Sequence, residues 1–175
     1  EMTIHSEHPF DQPEGERDQV RRLRGRVGAT VSLWTAGKGI ERVGLTVSSY
    51  LVASGEPSRV VALLHPESDL LDRLQETGTA VMALLAWRDR ELADVFAGLM
   101  PSPGGPFRLG DWEQTEWGPR LTTMSTWAGI RLDPSAQRDA GWSVLVEAEI
   151  EHVEVGEDGD PLVHRRGRYV RPASD

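Results

Sequence analysis

A mainly β fold, curled into a barrel and carrying two or three short helices, is the class this sequence predicts. Three observations predict it. Trp142–Val155 alternates over an unusually long span, with Val144, Val146, Ala148 and Ile150 on one side and Ser143, Leu145, Glu147, Glu149 and Glu151 on the other, the period of two that a half-buried strand requires. Six or seven such runs, short or alternating, are spread along the chain. The helical stretches are few and do not alternate one for one with strands, which argues against a doubly wound sheet and leaves a barrel or a sandwich; the barrel is the expectation.

Each element has its own signal. Residues 1–13 read as a flexible tail ahead of one domain over residues 14–175. Glu14–Arg26 predicts a short helix, with acidic residues early and arginines late, the sense that the macrodipole favours. Val27–Ala36 predicts a strand, followed by a turn at Gly37-Lys38-Gly39. Arg42–Ser49 predicts a second strand, and Gly44 inside it implies a bulge or a close approach by another group, because a mid-strand glycine otherwise weakens a sheet. After the loop Ser54–Ser58, the run RVVALL is apolar enough for a strand buried on both faces. Ser68 and Asp69 are good caps for the helix LLDRLQET, and Gly78 supplies its stop. Thr79–Ala86 predicts a fourth strand. Arg88–Gly98 predicts a helix with Leu92, Val95 and Phe96 on one face. The segment MPSPGGPFRLGDWEQTEWGP is a Gly/Pro/Trp-rich loop, of a length that is usually functional or mobile. Leu121–Ser125, Trp127–Leu132, Trp142–Val155 and Leu162–Val170 predict the remaining strands, with Glu157–Asp160 as a hairpin turn signal.

Composition excludes several classes of function. A chain of 175 residues is large enough to bury roughly 70% of its unfolded surface in one core. It has no cysteine, so disulfides, thiolate metal sites and cysteine nucleophiles are excluded, and a reducing compartment is compatible. No apolar run approaches the ~20 residues of a membrane helix, and the polar N-terminal stretch is unlike a secretory signal. A soluble, cytoplasmic protein with no membrane partner is the expectation. The net charge of −9 argues against nucleic acid as a partner. Arginines nevertheless crowd two segments, Arg17 to Arg26 and Arg165 to Arg171; these are either solvated faces or a local phosphate-attracting patch. The histidines are scattered and suggest no metal site; a haem-bearing barrel would have to use His152 or His164.

The functional signal lies in GLTVSSYLVASGEPSRVVALLHPES, Gly44 to Ser68. Thr46, Ser48 and Ser49 place hydroxyls at one strand end, and the next strand runs directly into His65-Pro66-Glu67-Ser68. Hydroxyls at two strand ends suggest a polar ligand held against a sheet. Thr46 and Ser48 alternate onto one side. Ser68, at a helix start, offers a hydroxyl and first-turn amides to an anion. The plain alternatives are solvent-facing strand residues and an N-cap.

The order strand, turn, G-x-T-V-S-S-Y, strand, P-x-S, helix ending in Gly, A-V-x-x-L, L-A-D-V-F-A-G, long final strand and P-L-V-H-R-R-G-R-Y resembles the flavin reductase-like family of FMN-binding split barrels, over roughly Val27 to Tyr169. The resemblance implies a Greek-key split barrel, a homodimer with flavin at the subunit interface, and reduction of FMN, or FAD, by NADH or NADPH, often for a partner monooxygenase. It further implies that Thr46, Val47, Ser48 and Ser49 lie along the isoalloxazine and ribityl chain, that Leu64, His65 and Ser68 lie near the phosphate, and that Tyr169 lies towards the flavin face or the nicotinamide. No catalytic side chain is implied, since the cofactor carries the hydride chemistry.

One departure bears on the donor. Members of the family often carry Gly-Asp-His where this chain has Gly141-Trp142-Ser143, and an indole stacks on a ring but does not replace the switchable proton of imidazole. Trp142 is either such a stacking group or a core aromatic. Trp87, Trp112, Trp117 and Trp127 either form a lid over a planar ligand or pack separately. Two alternatives therefore stand beside the reductase: a deazaflavin (F420) oxidoreductase of the same fold, which the arginine-rich tail would suit, and a flavin carrier or sensor without turnover.

Overall fold

Two residues dictate how this sheet is shaped. The computed structural model describes residues 14–173. In chain order its elements are α1 (Glu14–Arg26), β1 (Ala29–Thr30), β2 (Ser32–Ala36), β3 (Val43–Val47), β4 (Tyr50–Ala53), β5 (Arg59–Leu64), α2 (Asp69–Thr77), β6 (Thr79–Leu84), α3 (Arg90–Phe96), β7 (Trp112–Gln114), β8 (Pro119–Leu121), β9 (Trp127–Leu132), β10 (Arg138–Ala140), β11 (Ser143–Glu154), β12 (Val163–Arg165) and β13 (Arg168–Val170). The main sheet is antiparallel and runs β3-β2-β6-β9-β11-β5-β4, with β10 paired to β11. Its two edges, β3 and β4, are separated in the chain by Ser48 and Ser49 alone. Laid flat, seven strands would put those edges about 29 Å apart, whereas three peptide steps reach at most about 11 Å. The sheet must curl until its edges face one another across a seam, and the expected barrel is this curled, incompletely closed sheet.

The concave side is filled by the inward residues of each strand, among them Trp34, Val60, Ala62, Leu64, Ile130, Val146 and Ala148, and α2 contributes Leu70, Leu71 and Leu74. That helix is bounded as its sequence predicts: the Ser68 hydroxyl accepts from the Leu71 amide at 3.2 Å, and Gly78 closes it in the left-handed region at φ 73°. A second cluster, with Leu33, Val81, Ala83, Phe96, Trp127 and Leu162, lies on the other side of β2 and β6. Gly44 is closely approached on that side; a Cβ there would come within 2.6 Å of the Phe96 ring, which is the close approach expected of it.

Several expectations are corrected. The strand buried on both faces is β2, every residue of which is buried, with β6 close behind. β5 buries only alternate residues and leaves Leu63 41% exposed, because α3 and the following segment cover β2 and β6 but not the outer side of β5. Val27–Ala36 is two strands in two sheets: β1 pairs with β12 while β2 pairs with β3 and β6. The second strand stops at Val47, and Tyr50–Ala53 forms a strand of its own against β5. The long Gly/Pro/Trp segment is anchored, with Phe107 and Trp112 stacked edge to face on Phe96 and Trp112–Gln114 paired with Pro119–Leu121, where Leu121–Ser125 was expected. Glu157–Asp160 is not a hairpin turn, since β11 and β12 do not pair. The hairpin lies inside Leu162–Val170, which is β12 and β13 joined at Arg166 (φ 56°) and Gly167 (φ 74°), the two positive φ values of a tight hairpin turn. The tail expected over residues 1–13 lies outside the described residues. Among the described residues no helix is long and apolar enough to cross a membrane.

Candidate functional site

The seam between β3 and β4 opens into a groove of about 1130 Å³. Its floor is the outer side of β4, β5 and β11. Ser49 lies opposite Leu63, whose amide donates to the Ser49 carbonyl at 2.9 Å, and Leu63 in turn pairs with Leu145. One row of outward residues thus runs from a hydroxyl to two leucines, with Leu51 opposite Val61 in the next row. Facing this floor are the C-terminal turns of α1, Thr30 of β1 and His164 of β12. The β12–β13 hairpin is fastened to α1 by the Arg166 amide, which donates to the Gly25 carbonyl at 2.6 Å.

At the seam the sheet presents two edge strands. β3 pairs only with β2 and β4 only with β5, and among the described residues neither the hydroxyls nor the amide N–H groups of Ser48 and Ser49 have a hydrogen-bond partner. Such donors at a groove wall are available to a ligand's acceptors. The strand leading to them is rigidly tied: the Ser32 hydroxyl, itself fully buried, donates to the Val47 carbonyl at 2.7 Å and accepts the Trp34 indole N–H at 3.0 Å.

The expected site residues separate into two groups. Ser48 and Ser49 line the groove together. The other six side chains are engaged elsewhere. The Thr46 hydroxyl donates to the Ala93 carbonyl of α3 at 2.6 Å. Val47 and Leu64 are buried in the concave core. His65 accepts the Glu67 amide through Nδ1 at 3.1 Å, and Ser68 caps α2. The Tyr169 hydroxyl donates to Asp94 at 2.7 Å, and its ring stands edge-on behind His164 at 5.8 Å. Thr30 was not singled out from the sequence; the arginines of α1 were read there as a solvated face or a phosphate-attracting patch, and His164 only as a haem ligand, neither as part of this groove. The motif H-R-R-G-R-Y contains His164, and a hairpin turn placed at Arg166-Gly167 would have put its imidazole on the neighbouring strand.

Nor do the tryptophans form a lid. Trp87 stacks under the Arg90 guanidinium at 4.0 Å, and Trp117 and Trp127 flank His152 at 5.1 and 4.8 Å, with their indole N–H groups donating to Glu151 and Glu154. Both carboxyls sit below their ordinary range, Glu151 chiefly through its bond with Arg131 and then that with Trp117, and Glu154 chiefly through its bond with Trp127. Trp142 is 56% exposed, in the two-residue turn between β10 and β11, and is not a core residue.

Both tyrosines of the chain border this region, and both are held neutral. Burial pushes Tyr50 up to about 12, and burial together with the bond to Asp94 raises Tyr169 further. A raised folded-state pKa adds stability that is complete below the ordinary value near 10 and is lost as pH climbs through the shifted one. Phenolate absorbance should therefore stay flat at pH 10, where a free tyrosine is half ionised, and rise only towards pH 12. An ordinary titration of either tyrosine at pH 10 in the folded protein would contradict this.

The groove therefore offers an apolar floor, unpaired amide and hydroxyl donors, an imidazole and a cationic rim. That set suits a flat heteroaromatic ring with acceptors along one edge and an anionic tail. Comparison with known proteins points the same way. The flavin reductase like domain matches residues 24–173. The reductase component of 4-hydroxyphenylacetate 3-monooxygenase from Thermus thermophilus is 25% identical over 155 residues, spanning 89% of this chain and 96% of that protein. The NADH:FAD oxidoreductase SgcE6 of Streptomyces globisporus has a similar structure, with a TM-score of 0.81 at 22% identity over 94% of this chain and 97% of that one. A flavin reductase domain protein of Arthrobacter reaches 0.79 at 23% identity, over 90% and 96%. At these identities the structural likeness is one of fold.

Proposed function

The chain belongs to the flavin reductase like domain family, and from that membership we propose that the seam groove binds FMN and that the protein is an NAD(P)H:flavin oxidoreductase. The observation that supports this most directly is the pair of serines, with free hydroxyl and amide donors among the described residues, in the link between the sheet's two edge strands. Bound flavin supplies the hydride acceptor and needs no acid or base from the protein. The chain's own part is to hold and shield the ring. Ser48 and Ser49 donate to its acceptor edge through hydroxyls and amides, Val61, Leu63 and Leu145 carry its apolar face, and His164 offers a ring nitrogen from the opposite wall. The mononucleotide half is common to FMN and FAD, so the same contacts serve either.

Leu51 and Val52, 76% and 60% exposed beside the groove, form the strip that a second copy of the chain would cover, as in the dimer the family resemblance implies. The Thermus relative is named a reductase component, and a partner monooxygenase that receives the reduced flavin is part of the same proposal.

Titration of flavin fluorescence tests binding, and anaerobic addition of NADH or NADPH to the reconstituted protein tests reduction by bleaching of the visible flavin band. Ser48→Ala and Ser49→Ala should each weaken FMN binding by about 1 kcal/mol, the net worth of a lost hydrogen bond. Unchanged affinity in both would remove the seam from the site. Flavin that binds but stays oxidised for hours with either donor would make the protein a carrier or sensor.

A further inference from the structure

The two arginine runs at opposite ends of the sequence meet at the mouth of this groove. Arg21, Arg22, Arg24 and Arg26 reach it from α1 and Arg166 from the hairpin turn. Among the described residues the groove lining contains these five arginines and no acidic residue, in a chain with 28 acidic residues against 19 basic ones. Among the described residues none of the five forms an ion pair, whereas Arg59, Arg73, Arg88, Arg120, Arg131 and Arg171 each face an acidic side chain. The C-terminus of α1 offsets only about half a unit of positive charge. A cleft lined by one sign of charge concentrates ligands of the other sign at its entrance.

FMN brings a single phosphate, and one phosphate is satisfied by one or two bidentate arginines. Five exceed that need. We propose that the arginine rim selects the nucleotide donor by an additional phosphomonoester, so that the protein prefers NADPH to NADH. The 2′-phosphate adds about 1.5 to 2 negative charges at neutral pH, and a nearby arginine is a general means of accommodating it. The selection rests on the reductase function proposed for the same groove. It also separates two sources of the same chemistry, since the flavin's own phosphate and the donor's 2′-phosphate are both phosphomonoesters.

Calorimetric titration of 2′,5′-ADP and of 5′-AMP into FMN-saturated protein decides the matter, with the same pair titrated into flavin-free protein. The 2′-phosphorylated nucleotide should bind at least about tenfold more tightly, and the preference should shrink as salt is raised from ~50 to ~500 mM, as screening shortens the reach of surface charge. It should fall to within about threefold in Arg21→Gln/Arg24→Gln and, separately, in Arg166→Gln, each checked for native circular dichroism, and the NADPH-to-NADH ratio of kcat/KM should fall with it. Equal affinity for the two nucleotides, or a preference untouched by both variants, overturns the proposal. If the variants lose FMN affinity while the nucleotide preference is absent, the rim belongs to the flavin phosphate and the proposal is likewise overturned. A protein that binds no flavin at all defeats the reductase function instead, and the titration of flavin-free protein still decides what the rim selects.

Discussion

Ser49→Trp should abolish the proposed flavin uptake while the far-ultraviolet circular dichroism stays native. The expectation follows from where Ser49 stands. Its carbonyl is held by the Leu63 amide, and it faces outward in the same row as Leu63 and Leu145. A larger side chain there meets the groove rather than the core. An indole fills a substantial part of the floor with a ring that buries about 150–250 Å², and it also interrupts access to the seam amides. Fluorescence titration should show FMN affinity down by at least about 100-fold, well beyond the ~1 kcal/mol of a single lost hydrogen bond. Wild-type affinity in a folded Ser49→Trp protein would place the flavin elsewhere.

Trp34→Ala has the largest expected effect on stability. Trp34 is fully buried at the centre of the concave core, and its indole N–H ends a chain of bonds through the Ser32 hydroxyl to the Val47 carbonyl, one residue before the seam. Emptying such a position costs about 3–5 kcal/mol, a large share of the 5–15 kcal/mol typical of a whole domain. The urea midpoint should fall by about 2 M for a slope near 2 kcal/mol per molar. Trp34→Phe retains most of the ring but not the donor, and should fall between the two. A loss below about 1 kcal/mol for the alanine variant would mean that the curl does not depend on a tightly filled interior.

Most of the fold was legible, and for identifiable reasons. β5 and β9 coincide with their predicted spans and α2 begins one residue before its own, at Asp69, because local signals decide them: a capping serine, a left-handed glycine, an apolar run between turn residues. What misled was pairing. Whether Val27–Ala36 serves one sheet or two, and whether Glu157–Asp160 turns a hairpin, depends on strands far away in the chain. The site divides along the same line. Ser48 and Ser49 were visible as hydroxyls at a strand end, whereas His164 and the α1 arginines join them only through the contact between the hairpin and α1. Thr46 was equally visible, and its hydroxyl is taken by α3.

By itself, the sequence determined the β class, the ends of α1 and the capped ends of α2, the family resemblance and the two serines, since alternation, caps and motif order are properties of neighbouring residues. Only the tertiary structure decided that those serines lie where two sheet edges meet, that distant arginines rim the same groove, and that β5 turns one face outward. Each of these rests on which strands pair and which surfaces remain uncovered, and burial and hydrogen bonding settle such questions across the whole chain at once.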